Sequence, residues 1–498
     1  MDFGRRRTQK YTFKSPKLED LREIGSLVVN HEDLKVKYGR LLPLLKTKMV
    51  DAVLATLVQF YDPLYQCFSF PDYQLVPILE EFYHMIGLPI PDQAPFSGLE
   101  EIPKHQDIAE AAHLRMFEIK ANLTTKGGIL GLPAKFLIDE ARYFASMKSM
   151  DAFEAILALL IYGLFLFPNI DDFVDINAIK IFLIGNPVPT LLANVYHSVH
   201  LRNSHKGGMI ICCTTLLYKW FISHLPRSTS FWDLKDGLIW SQKIMSLTHS
   251  DIDWFDRAYE GVKVIDSCGE FPNVPLHGTK GGINYNPILA CRKFGYPMKD
   301  KPNTIFLESF LFKEGEDNKA FKENIVHAWR HVHKKGREVL GKLDYVSLEP
   351  YLQWVQARVV SLKMHYPRQE PLSLTVKEPS FVFMTDAEKL KITLTMMQRE
   401  KDAWKNKYHI VHAENEELQR HLKKRNYEEL ANKKRKVQED LFSSSIKPVP
   451  GSDNPPTLGA SKMIIDKLVV ENTQMKDRIK ELNMKLQRGI GSPSQQLP

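Results

Sequence analysis

Two stretches of heptad spacing near the C-terminal end constrain this chain more than any other feature in it. In the first, Ala387, Leu390, Leu394, Met397, Trp404, Tyr408, Val411, Leu418 and Leu422 alternate between a and d positions, with Lys401 and Asn415 also at a. In the second, Ile465, Leu468, Met475, Ile479, Leu482 and Leu486 follow the same spacing, with Asn472 at a. One helix cannot bury an apolar repeat of about 3.5 residues by itself, so the pattern predicts a partner helix. Ile at a with Leu at d favours two strands, and an Asn at a fixes register at some cost in stability. Paired Asn472 amides are best satisfied between parallel, in-register helices. The expected partner is a second copy of the chain in a parallel dimer, or another coiled-coil protein. An antiparallel hairpin of the two coils is the rival arrangement.

The flanking composition sets the boundaries of this tail. Residues 366–385 read as an extended connector, and Asp386 with Glu388 supplies the acidic first turn that favours helix initiation. A first coil is expected over 386–442, although Arg425 and Glu429 take the next core positions after Leu422. Pro448, Pro450, Pro455 and Pro456 cannot continue a helix, so 443–460 reads as a disordered linker. A second coil follows over 461–487, and 488–498 is expected to be a disordered tail.

Charge is distributed as unevenly as the heptads. Residues 386–498 hold 22 Lys+Arg against 16 Asp+Glu, so most of the net charge of +8 lies in the C-terminal quarter. The preceding 385 residues are nearly neutral and give no compositional reason to bind nucleic acid. Within the tail, Lys423, Lys424 and Arg425, then Lys433, Lys434, Arg435 and Lys436, form two cationic runs. Such runs read as nuclear localisation signals or phosphate contacts. The competing reading is a solvated helix face, because Glu428, Glu429, Glu439 and Asp440 are interspersed. The expected location is nuclear, with a cytoplasmic protein as the alternative.

The rest of the chain reads as mainly α, with few short strands. After a basic flexible arm at 1–17, apolar residues recur at helical spacing through a large domain spanning 18–365. Leu41, Leu44, Leu45, Met49, Val53 and Leu57 form one such series, and Leu75, Ile78, Leu79, Phe82 and Ile86 another. Clusters at Pro89 to Pro95, Pro187 to Pro189 and Gly278 to Gly282 interrupt them. The pattern admits short β segments near Met209 to Cys213 and Val262 to Ile265. The most apolar run, Ile156 to Phe167, is shorter than the roughly 20 residues a bilayer span needs and is expected to be a buried helix. Five cysteines without CxxC spacing suit a reducing compartment. The first residues lack an apolar signal core, so a soluble intracellular protein without a membrane partner is expected.

Several long motifs resemble one family in order. FYDPLYQCFSFPDYQLVPILEEFYHMIGLPI starts at Phe60, GLPAKFL covers 131–137, and FPNIDDFVDINAIKIFL covers 167–183. NPVPTLLANVYHSVHLRN at 186–203, KGGMIICCTTLLYKWFISHLP at 206–226 and FPNVPLHGTKGGINYNPILACRKFGYPM at 271–298 continue the series. Together they resemble the aminotransferase-like plant mobile domain, in the branch found beside retrotransposon sequence in legume genomes, over residues 40–365. The resemblance implies a mostly helical, transposon-spread domain with relatives in nuclear gene silencing and genome integrity. It implies no established activity, and no residue here matches the aldimine lysine of a pyridoxal enzyme.

Motifs that could carry chemistry fail on spacing. His197, His200 and His205 precede the vicinal Cys212 and Cys213, but this arrangement does not match structural zinc sites. His327 and His331 share the i, i+4 relation of zinc-protease histidines, yet the Glu of H-E-x-x-H is missing. With Trp329 and Val332 they suggest an amphipathic helix bearing a wet basic face. Asp171, Asp172 and Asp175 suit a helix start, as do Asp251 and Asp253 before Trp254. Gly278 to Gly282 and Lys206-Gly207-Gly208 lack the P-loop pattern and read as tight turns. No catalytic, cofactor-binding or metal-ligating residue is therefore assigned, and no cofactor is expected. The composite expectation is a non-enzymatic interaction protein, with a nuclear chromatin- or nucleic-acid-associated factor as the alternative. An enzyme hidden in 40–365 is the third reading.

Overall fold

The apolar run at Ile156 to Phe167 becomes the centre of the molecule. In the computed structural model, Met150–Ile161 is an α-helix, Tyr162–Leu166 adds a π-helical turn, and all residues from Ala152 to Phe167 are buried. Ala, Leu and Ile favour the helix, and Pro168 ends it. Gly163 lies so close to the strand Phe173–Asp175 that a Cβ would press on the Val174 side chain at 2.5 Å. The helices Glu19–Gly25, Ala134–Ser146 and Ile176–Ile184 pack around this core. No helix among the described residues is long and apolar enough to cross a membrane.

The structure describes residues 7–369, except 91–93, 233–238, 255–258, 260–261, 299–300, 303–306, 308–310, 314–317, 342–348 and 368. All of these lie in the first of two units, Met1–Lys377, into which the chain divides. The second unit, Glu378–Pro498, lies outside the described residues. Both coils, the linker and the terminal tail belong to it.

A second group of elements surrounds the long helix Val188–Ser204. It packs on the helix Leu79–Ile86, the strand Gly207–Ile210, and the hairpin of Val274–Gly278 with Gly281–Tyr285. The helix Thr214–Ile222 packs on Leu79–Ile86 and on Asp51–Leu57. The described chain is mainly helical, as the periodicity predicts, with strands of two to five residues gathered in small sheets. The Val264–Cys268 strand pairs antiparallel with Val332–Lys335, and Tyr61–Asp62, Cys67–Ser69 and Gln74–Leu75 form a meander.

Several expectations are corrected here. The segment 1–17 is not wholly a flexible arm, because Lys10–Phe13 pairs in parallel with Gly207–Ile210. Gln9 is also tied at both backbone groups by the Gln59 side chain, at 3.0 and 2.8 Å. Tyr11 and Phe13 alternate with polar residues and pack on the core, a two-residue period masked by the nearby basic residues. The series from Leu41 to Leu57 folds as two helices, Leu41–Leu45 and Asp51–Leu57. Val332 does not extend a helix past Trp329; after Arg330 the chain turns into the strand Val332–Lys335. The expected β segments occur as Gly207–Ile210 and Val264–Cys268, displaced by two or three residues.

Candidate functional site

A cleft of about 330 Å³ opens where five separate parts of the chain meet. Arg40, Pro43 and Leu44 line it from one side, and His84 and Met85 come from the helix Leu79–Ile86. Lys219 belongs to Thr214–Ile222, with Ser223 and Arg227 following that helix. Asp253, Tyr259 and Lys293 complete the wall, Lys293 from the 3-10 helix Pro287–Phe294.

The helix at the base of the cleft is held on several sides. The Leu79 N–H, left without an intrahelical acceptor at the helix start, donates to the Tyr285 hydroxyl at 3.3 Å. The Tyr196 hydroxyl donates to the Pro77 carbonyl at 2.6 Å, and its ring stacks on Tyr285 with centroids 5.4 Å apart. The Tyr83 hydroxyl donates to Asn186 at 2.7 Å. These contacts orient two adjacent buried carboxylates, which a helix splays roughly 100° apart. Glu80 turns toward the strand Val264–Cys268 and accepts the Ile265 N–H, while its other oxygen has no hydrogen-bond partner. Burial pushes the Glu80 carboxyl up to about 7, against the opposing pull of the Ile265 N–H.

Glu81 turns the other way, beneath the cleft. Its Oε2 accepts the Trp220 indole N–H at 2.7 Å, and its Oε1 lies 3.3 Å from His224 Nε2 and 4.0 Å from Lys293 Nζ. His224 Nδ1 lies 2.8 Å from the Trp220 carbonyl, a pure acceptor, so Nδ1 carries a proton. Burial pushes the Glu81 carboxyl up, but the bonds from His224 and Trp220 and the charge of Lys293 outweigh it and hold the group low. Burial and Lys293 pull the His224 imidazole down, while Glu81 and the Trp220 carbonyl pull it up with less effect. The two directions oppose each other across one hydrogen bond. Geometry decides, since a ring protonated only at Nδ1 would turn its Nε2 lone pair on the carboxylate. A charged His224–Glu81 pair follows.

This arrangement fixes charge rather than activating a nucleophile. Ser223 Oγ lies 3.4 Å from His224 Nδ1, but it donates to the same Trp220 carbonyl at 2.7 Å. Because Nδ1 already spends its proton on that carbonyl, it cannot take one from the serine. Two adjacent carboxylates inside the run VPILEEFYHMIG signal this site in the sequence. Ile78, Leu79, Phe82, Tyr83 and Ile86, all buried, surround them.

The residues singled out by spacing are dispersed. His197 is buried, His200 meets the Tyr61 hydroxyl at 3.2 Å, and His205 is exposed beyond its helix. Cys212 and Cys213 are buried, and burial pushes the Cys213 thiol up to about 12. The rings of His327 and His331 lie 5.0 Å apart across the end of the helix Lys319–Trp329. No group of three His, Cys, Asp or Glu among the described residues is placed to hold a metal ion. Asp175 caps the helix Ile176–Ile184 by accepting the Ala178 N–H at 2.9 Å, and Asp171 pairs with Lys14 at 2.8 Å. Asp251 accepts the Thr248 N–H at 2.8 Å, and Asp253 pairs with Arg227 at 2.8 Å. Gly278 and Gly281 flank a two-residue hairpin turn, with Gly281 at φ +147°. The residues expected to act in nuclear import, Lys423 to Arg425 and Lys433 to Lys436, and the heptad residues from Leu390 to Leu486, lie outside the described residues.

No curated protein and no solved structure matches the chain. A family model described as a domain of unknown function, DUF7745, matches residues 21–360. That span contains the whole cleft, from Arg40 to Lys293, and the helices that build it. The match covers well over half of the sequence, and the chain belongs to the DUF7745 family.

Proposed function

We propose that this is a non-enzymatic, transposon-derived interaction protein whose tail binds another helix, with a second copy of the chain as the favoured partner. The observation that carries the reading is the heptad pattern of the second coil, with Ile465 and Ile479 at a, Leu468 and Leu482 at d, and Asn472 at a central a position. The resemblance of residues 40–365 to the aminotransferase-like plant mobile domain supports a transposon origin. Sedimentation equilibrium of the full chain tests the proposal. A concentration-dependent dimer that dissociates when Leu468 and Leu482 are both replaced by Asp is expected. A monomer at every concentration, or a dimer indifferent to the double substitution, would reject self-association through this coil.

The cationic runs favour a second reading, in which the protein accumulates in the nucleus and touches nucleic-acid phosphate through its tail. Arg5, Arg6 and Arg7 would add to that contact. Such binding is sequence-independent and weakens steeply with salt. Weak, strongly salt-dependent DNA binding that disappears with the tail clusters would support it.

A further inference from the structure

We infer that the cleft between Arg40, Lys219 and Lys293 binds a small phosphate monoester carrying an apolar or aromatic organic part. The starting point is Lys293, whose side chain is 7 % exposed. A lysine ammonium has three donors and strongly prefers to be surrounded by acceptors. Lys293 has one long hydrogen bond, to the Asp253 carbonyl at 3.4 Å, and a carboxylate oxygen of Glu81 at 4.0 Å. Glu81 is itself committed to Trp220 and His224. The ammonium is thus buried at the wall of a cleft with donor capacity still to be filled.

Of the other charged residues of the wall, Arg40, Lys219 and Arg227 repeat the same sign and Asp253 opposes it. Arg227 is neutralised by Asp253, but no carboxylate among the described residues pairs with Arg40 or Lys219. The Arg40 stem runs across the bare backbone of Gly87. A Cβ there would meet Arg40 Cγ at 2.7 Å, and Gly87 has φ +77°, so glycine is required on both counts. Beneath the cleft, the His224–Glu81 pair leaves no net negative charge to cancel these cations. A cleft in which cations outnumber carboxylates concentrates anions. Three cations lining one cleft suit a phosphate, with its several acceptor oxygens, better than a single carboxylate. Pro43, Leu44, Met85 and Tyr259 give the same cleft an apolar side for the organic part. Its volume is at the small end of ligand pockets, about 300–1,000 Å³, which fits a small molecule rather than a polymer chain.

Isothermal titration of the full-length protein with phenyl phosphate, inorganic phosphate and benzoate tests this. Phenyl phosphate should bind most tightly, inorganic phosphate more weakly for want of the apolar contact, and benzoate more weakly still. Arg40→Ala and Lys219→Ala, both at the cleft mouth, should each weaken phenyl phosphate about tenfold while leaving the thermal unfolding temperature unchanged. Lys293→Met should abolish binding; the two mouth variants keep the test intact if that variant does not fold. No heat with phenyl phosphate at millimolar concentration would overturn the assignment. Unchanged affinity in both mouth variants would do the same, as would benzoate binding as tightly as phenyl phosphate. Neither mouth variant touches a heptad position, so the outcome is read separately from self-association.

Discussion

Glu80 shows how one buried side chain can set the pH response of the domain. Its carboxyl has one backbone donor, one unpartnered oxygen and a neighbouring carboxylate in Glu81, and burial raises it to about 7. In the unfolded chain the group titrates near its ordinary value of 4.5. Between those values the native state holds a proton that the unfolded state has lost, so stability is fully present below about pH 4.5 and falls as the pH rises through about 7. The loss from this residue alone is roughly 3 kcal/mol. Glu80→Gln keeps the acceptor for the Ile265 N–H and removes the titration. Urea unfolding at about pH 5 and about pH 8 should show the variant gaining on the native protein at the higher pH. Equal pH slopes for the two proteins would show that Glu80 stays ionised in the folded state.

At the scale of elements, the helix Glu349–Leu362 depends on a contact that no periodicity reveals. Arg358 donates to both oxygens of the fully buried Asp62, each at 2.7 Å, and its guanidinium lies 5.2 Å from the centre of the Tyr65 ring. The partners stand almost 300 positions apart in sequence. Removing one member of a buried pair strands the other charge, so Arg358→Ala should destabilise by about 3–5 kcal/mol, read as a shift in the denaturant midpoint. Arg358→Lys should recover only part of this, since an ammonium cannot reproduce the two-pronged geometry. A loss well under 1 kcal/mol would show that the pair merely sits there. The same distinction explains what the sequence discloses. The helix centred on Ile156 to Phe167 was legible because its apolar residues are consecutive and end at a proline. The strands Val274–Gly278 and Gly281–Tyr285 were not, because both are buried on every residue and show no alternation. The cleft was legible only in fragments. Arg40, Glu81, His224 and Lys293 come together through packing of distant elements, and each alone is an ordinary residue of its helix or turn.

For the molecule as a whole, the decisive asymmetry is between a nearly neutral domain and a basic tail. Several of the domain's cations are paired locally, as with Lys37 and Asp151 at 2.6 Å or Lys335 and Asp266 at 2.8 Å. Lys433, Lys434, Arg435 and Lys436 instead form four cations in a row, with the nearest carboxylates at Glu439 and Asp440. A compact run of this kind is what an import receptor reads, and it is also what phosphate attracts. Replacing all four by Ala separates these uses from each other and from the apolar heptad residues, none of which is touched. A fluorescently tagged chain should accumulate in the nucleus, and the quadruple variant should remain in the cytoplasm while sedimenting as the same oligomer. A variant that still enters the nucleus would reject this cluster as the import signal and pass that role to Lys423, Lys424 and Arg425. A variant that enters but no longer stays, washing out of permeabilised nuclei at moderate salt, would instead show that the cluster holds the protein on nucleic acid, because retention through phosphate is the salt-sensitive step.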